Sequence, residues 1–296
     1  MDRVYLFLFT SFRFLIICTP NTILYSILNF MSYLLFTFDK KHKKIAKANL
    51  DLAYENRINE DEKKKIIKDC YKNLVYTLAD FIRNQGATKD EILEKVTFKN
   101  EAFLTDLIKE NKKIIIMTAH YGNWELLSLA IAVKFTPLSV VGRDLESEVM
   151  NKILTKNREQ FDVELLSKSG AMKGMIHSLK KNRPIGILVD QNTKNEEGLL
   201  VDFFGKKARH TPSAAILSKK FNAVIIPAFI KSLDNENYEI EFYEPFKVED
   251  SGDKEKDILR CVQKQANITQ QVIESKPNEW FWLHQRWKNQ YEYIYK

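Results

Sequence analysis

The stretch KKIIIMTAHYGNWELLSLAIAVKF, Lys112 to Phe135, holds a β-branched apolar run that stops at His120, with a carboxylate, Glu125, five positions later. An imidazole beside a carboxylate is a simple general base. The acid accepts from one ring nitrogen and fixes the tautomer, and the other nitrogen takes a proton near neutral pH. In a continuous helix, residues five apart are separated by about 140° around the axis. His120 and Glu125 therefore converge only if His120 lies in the turn before the helix. Gly122 as a flexible point, Asn123 as an N-cap and Glu125 in the first turn fit that arrangement. Spacing leaves a second reading open, in which both residues close the end of a buried strand.

A second strand end follows in PIGILVDQNTKNEEG, where Asp190 and Gln191 come just after Ile185–Val189, with the apolar DFFG (Asp202 to Gly205) beyond. Two polar strand ends can face one crevice at the carboxyl edge of an α/β sheet; Asp190 as a turn cap is the competing reading. Arg143 and Arg158 flank a helix between these strand ends. Either could hold a phosphate bidentately or a developing oxyanion, or stay a solvated charge.

Other chemistries lack their motifs. The chain has no GxSxG elbow, no HExxH, no P-loop and no dinucleotide glycine fingerprint. His42, His177, His210 and His284 have no metal-ligand spacing. Cys18, Cys70 and Cys261 are odd in number and form no CxxC pair, which suits free thiols in a reducing compartment. Neither a metal nor a cofactor is expected.

The elements that must position these residues are readable from periodicity. Asn59-Glu60-Asp61-Glu62 predicts a capped helix start, followed by an apolar face through Ile67, Cys70, Tyr71, Leu74, Leu78, Phe81 and Ile82 and a stop at Gly86. Beyond residue 113, apolar runs alternate with helical stretches. These are Ile114–Ala119 then Trp124–Lys134, Leu138–Val141 then Glu146–Phe161, and the runs Ile185–Val189, Val224–Ile230 and Tyr238–Tyr243. Thr211-Pro212 opens a further helix. This alternation predicts an α/β fold, a layered αβα domain around a central mixed sheet.

Length permits one large domain or two smaller ones in 296 residues. The net charge of +7 is unevenly placed: residues 1–50 carry a balance of +5, the rest of the chain +2. A nucleic-acid binder spreads a basic stripe over its folded body, so nucleic acid is not an expected partner. Val4 to Phe38 contains a single charge, Arg13, and the lysines 40, 41, 43, 44 and 47 follow at once. That stretch is long enough to enter a bilayer, though Pro20-Asn21-Thr22 divides it. The lysines suit the cytoplasmic side and anionic headgroups. The expected division is a membrane-anchoring helix or helical hairpin over residues 1–39 and an α/β domain over 40–296. In the C-terminal PNEWFWLHQRWKNQYEYIYK, Trp280, Trp282 and Trp287 suit core packing or a membrane interface.

Taken in order, the hydrophobic N-terminus, HYGNWE as an H-x4-D/E motif, GR at 142–143, Arg158, KGMIHSLKKNRPIGILVDQN, VDFFGKKARHTP and WFWLHQRWK resemble the bacterial lipid A biosynthesis acyltransferases, the late lauroyl/myristoyl transferases. The resemblance implies an enzyme on the cytoplasmic face of the inner membrane. It would move an acyl chain from acyl carrier protein to a hydroxyl of a Kdo-lipid A precursor. It implies His120 as base with Glu125 as its partner, and Arg158 and Asp190 as further polar residues of the site. Arg143, Asn123 and Gln191 join them as candidate substrate or oxyanion contacts, and Tyr121 as a shaping residue. Gln191-Asn192 departs from a more acidic D-x-D run in relatives, and His284-Gln285-Arg286 from a His-Arg-Arg triplet. Since a thioester is already activated, a base and oxyanion donors suffice for direct transfer without an acyl-enzyme. Acyl transfer to a lysophospholipid or another glycolipid shares the H-x4-D/E spacing. A non-catalytic, membrane-tethered lipid-binding protein is the reading from another class.

Overall fold

The computed structural model describes residues 2–145, 147–234 and 236–296. Four helices come first: α1 (Asp2–Cys18), α2 (Asn21–Phe38), α3 (Lys40–Tyr54) and α4 (Glu60–Arg83), then the short α5 (Lys89–Leu93). The sheet region runs β1 (Val96–Lys99), α6 (Ala102–Lys109), β2 (Ile114–Thr118), α7 (Trp124–Lys134), β3 (Leu138–Gly142), α8 (Glu148–Arg158), β4 (Val163–Ser167), α9 (Ala171–Lys180) and β5 (Ile185–Leu188). It continues with the hairpin β6 (Leu199–Phe203) and β7 (Lys206–His210), α10 (Ser213–Phe221), β8 (Val224–Ser232), β9 (Tyr238–Phe242) and α11 (Lys254–Ser275).

Seven strands form one sheet in the order β1-β9-β8-β2-β5-β3-β4. It is mixed, as expected: every pairing is parallel except β8 with β9. β2 lies centrally and explains the run IIIMT. Its Ile115 and Met117 enter one core with residues of α4, α10 and α11, while Ile114 and Ile116 enter a second core with residues of α7. A strand covered on both faces needs apolar side chains at consecutive positions.

The capping box at α4 forms with both reciprocal bonds, Glu62 N to Asn59 and Asn59 N to Glu62. Helix α7 has the expected bounds. The expected helix start at Glu146 lies outside the described residues; α8 is capped by Ser147 and ends before Phe161 and Asp162, whose φ of 55° and 62° breaks the helical path. Short β1 and β4, the β6–β7 hairpin and α9 were not expected, nor was α11, whose amphipathic pattern is interrupted by polar residues that the fold buries, Gln265 and Thr269 among them. In the hairpin, Phe204 and Gly205 both take positive φ, 55° and 69°, the turn that fits the twist of a two-residue loop.

Pro20 separates α1 from α2. This hairpin docks on α4 through Ile16, Leu24 and Leu28, packed against Val75, Tyr76 and Ala79. Its other face exposes Phe7, Phe14, Ile23, Phe30 and Phe38. Among the described residues only α2 is long and apolar enough to cross a membrane.

Gly122 sits where β2 hands over to α7, with φ +57°, and a Cβ there would lie 1.9 Å from the carbonyl oxygen of Ile230 in β8. Neither the backbone angle nor the neighbour tolerates a side chain. Gly122→Ala is expected to destabilise the protein by about 3 kcal/mol or more, read as a lowered unfolding midpoint in detergent.

Candidate active site

The parallel register of β2 with β5 decides which polar groups meet. Thr118 is paired with Leu188, and Val189 N–H donates to Thr118 O at 3.0 Å. Two residues further along each strand, His120 and Asp190 face one another. Asp190 Oδ1 lies 2.9 Å from His120 Nδ1, and Oδ2 accepts from His120 N at 3.1 Å and from Trp280 Nε1 at 2.8 Å. Burial alone would raise this carboxyl's pKa, but the adjoining imidazole and these three donors outweigh burial and hold it well below the usual carboxylate range.

An ionised carboxylate only accepts, so the imidazole proton is on Nδ1 and Nε2 is left as an acceptor. Nε2 faces the side-chain amide of Gln191, 3.2 Å away. Trp124 and Phe281 flank the ring, with centroids 5.4 and 6.4 Å from it. The C-terminal segment is strapped across this strand end: Phe281 N donates to His120 O, and Gly122 N to Glu279 O.

Glu125 is not the partner of His120. From the first turn of α7 it faces α8, where Arg158 donates to both its oxygens, Nε to Oε2 at 2.9 Å and Nη2 to Oε1. The imidazole, fixed by the β5 end, is turned to Asp190 instead. The H-x4-E spacing thus places an imidazole and an arginine holder side by side.

Other candidates divide. Asn123 caps α7 through Leu126 N and donates to Asp80, and it is fully buried. Both ends of its amide are engaged and it does not line the cavity described next, so the substrate contact expected of it is replaced by a structural one. Tyr121 is also buried, its ring edge-on to Phe229. Arg143 is exposed beside the cavity, in the loop after β3.

The cavity has a volume of about 490 Å³. Its polar rim holds His120, Glu125, Arg143, Arg158, Gln191 and His284, and its depth is lined by Ile116, Ile131, Leu138, Val140, Leu165 and Leu188. Gly142 borders it; a Cβ there would come within 2.7 Å of Leu165 and 2.9 Å of the Arg158 guanidinium.

His284, which has no metal-ligand spacing and belongs to the WFWLHQRWK segment, reaches the cavity through the strap. Its Nε2 accepts from Asn192 N at 3.0 Å. The tryptophans take the core alternative: Trp280, Trp282 and Trp287 are buried and pack with Phe203 and Phe204 of the β6–β7 hairpin. Trp280 also reaches the site directly through Asp190.

Residues 1–289 match the family described as bacterial lipid A biosynthesis acyltransferase. The chain is similar to a lipid A biosynthesis acyltransferase of Haemophilus influenzae, 18% identical over 247 residues, covering 83% of this chain and 76% of that protein. It is similar as well to a lipid A biosynthesis lauroyltransferase of Escherichia coli, 20% identical over 281 residues, 94% of this chain and 89% of that one.

The pairing is open to a double-mutant cycle. Glu125→Gln with Arg158→Gln is expected to give a coupling of about 1–3 kcal/mol in unfolding free energy, whereas Glu125→Gln with His120→Ala should be additive within about 0.5 kcal/mol. The reverse pattern would restore Glu125 as the partner of the imidazole.

Proposed function

The chain belongs to the bacterial lipid A biosynthesis acyltransferase family, and from that premise we propose that it transfers a fatty acyl chain from an acyl carrier protein thioester to a hydroxyl of a Kdo-lipid A precursor. The observation that carries this reading is the His120–Asp190 pair at the rim of an apolar cavity, with its basic Nε2 directed at Gln191. The acceptor hydroxyl displaces the Gln191 amide from Nε2 and gives up its proton there. The alkoxide oxygen attacks the thioester carbon, the tetrahedral intermediate collapses, and the C–S bond breaks. The proton returns from His120 to the departing sulfur. Transfer is direct, with no acyl-enzyme and no cofactor.

In this reading Asp190 holds the tautomer and stabilises the imidazolium, and Glu125 aims Arg158 at the cavity rim. Arg158 and Arg143 suit the anionic groups of the acceptor, and the apolar depth suits an acyl chain. The exposed apolar face of the α1–α2 hairpin enters the bilayer of the inner membrane, residues 1–39 forming the anchor. Lys40, Lys41 and their neighbours on α3 mark the cytoplasmic side.

His120→Ala is expected to lower transfer by about 10²–10⁴-fold, and Asp190→Asn by a comparable factor, with both proteins folded. Assays with acyl carrier protein and coenzyme A donors, on lipid A precursor and lysophospholipid acceptors, read this together with mass spectrometry of lipid A from a deletion strain. Preference for lysophospholipid would reassign the acceptor, and unchanged lipid A in the His120→Ala strain would leave only a lipid-binding role. Detergent, not high salt, should release the protein from membranes; release by salt alone would contradict an embedded anchor.

A further inference from the structure

Three consecutive residues after β5 reach two histidines. Asp190 takes Nδ1 of His120, Gln191 faces Nε2 of the same ring, and the backbone N–H of Asn192 donates to Nε2 of His284. Both rings therefore carry a proton on Nδ1 and differ in what meets it. The Nδ1–H of His120 is taken up by Asp190, and its Nε2 faces a side-chain amide that an acceptor hydroxyl can displace. The Nε2 lone pair of His284 accepts from a backbone N–H, so its proton must also be on Nδ1.

That Nδ1–H has no hydrogen-bond partner among the described residues, and it is absent from the buried polar atoms that lack a partner, so it is accessible. His284 lines the same cavity rim as His120 and Gln191. Burial, the dominant influence, pulls its pKa down to about 4, so near neutral pH it is an uncharged ring with one fixed donor. The backbone at and just before His284 is pinned: Asn49 Nδ2 donates to Trp282 O and His284 O, each at 2.7 Å. A neutral donor held in place before the reaction, at the edge of an apolar space, is what stabilisation of a developing oxyanion requires. Arg158 is the competing donor; Glu125 engages its Nε and Nη2, and the remaining Nη1 is the group that serves the anionic part of the acceptor.

We propose that His284 is a further catalytic residue, donating its Nδ1–H to the carbonyl oxygen of the acyl donor as that oxygen becomes an oxyanion. As the acceptor oxygen bonds to the carbonyl carbon, the π electrons move onto the carbonyl oxygen and are held by this hydrogen bond. They return when the C–S bond breaks. His284 keeps its proton throughout; only His120 carries one between acceptor oxygen and leaving sulfur. The assignment rests on the acyl-transfer reading above.

The test uses full-length protein in detergent, with acyl carrier protein thioester and lipid A precursor. His284→Phe keeps the ring volume and removes the donor, and His284→Asn returns an N–H near the position of Nδ1. His284→Phe should lower kcat about 10²–10³-fold with KM changed by less than about threefold. His284→Asn should recover about tenfold or more over His284→Phe. A kcat for His284→Phe within about threefold of wild type, or equal losses in the two variants, would overturn the proposal.

Should either variant fail to fold, ¹⁵N-histidine NMR of the wild-type protein decides. The His284 Nδ1–H resonance should move downfield when a non-cleavable ketone analogue of the acyl donor binds, and an unmoved resonance overturns the assignment. Wild-type protein inactive on every acyl acceptor would sink the acyl-transfer reading itself, whereas active wild type with unaffected variants sinks this assignment alone.

Discussion

The carboxylate of Asp190 is the point on which the site depends. It is buried and charged, a combination that is costly unless every lone pair is engaged. Three donors from two segments meet it: the backbone and ring of His120 after β2, and the indole of Trp280 in the C-terminal strap. The same contacts that offset its desolvation orient the imidazole. Stability and chemistry therefore share one group. Its pKa is lower in the folded than in the unfolded chain, so its contribution to stability is complete above the ordinary carboxylate range and is lost as pH falls through the folded value.

The aromatic C-terminus follows from that requirement. Trp280 can donate to Asp190 only if its ring is held, and Trp282, Trp287 and Phe203 surround it, with Trp280 and Trp282 centroids 4.6 Å apart. Phe203 and Phe204 reach this cluster because the tight Phe204-Gly205 turn projects the β6–β7 hairpin under the strap. Arg286 lies within the same cluster, its guanidinium 5.0 Å from the Phe203 ring and donating to Arg209 O and toward His210. Burial and the neighbouring guanidinium push His210 down to about 3, so the ring beside that cation stays neutral.

On the other side, α4 joins the α1–α2 hairpin to the site. Its Val75, Tyr76 and Ala79 seat the α1–α2 hairpin, and Asp80, one residue on, accepts from Asn123, the cap of α7. Helix α7 carries Glu125 and thereby Arg158. One helix thus ties the apolar hairpin to the cavity rim.

Much of this was legible in the sequence. β2, α7 and the capped α4 follow from local periodicity and capping chemistry, which neighbouring residues decide among themselves. That His120 precedes the helix was legible in the Asn123 cap that starts α7, whereas the convergence on Glu125 that also called for it does not occur. The ordered motifs pointed to the acyltransferase family that the chain proves to belong to. The partners could not be read in the same way. Glu125 is five residues from His120 and Asp190 seventy, yet the strand register brings the distant carboxylate within hydrogen-bond reach and turns the near one to Arg158. The Asn123 cap of α7 was legible locally, but its bond to Asp80 and the place of His284 at the cavity were not: both depend on what crosses the strand end, and local spacing carries no information about that. Sequence determined which residues could act; strand register and the C-terminal strap decided which of them meet, because hydrogen bonds depend on distance in space and not along the chain.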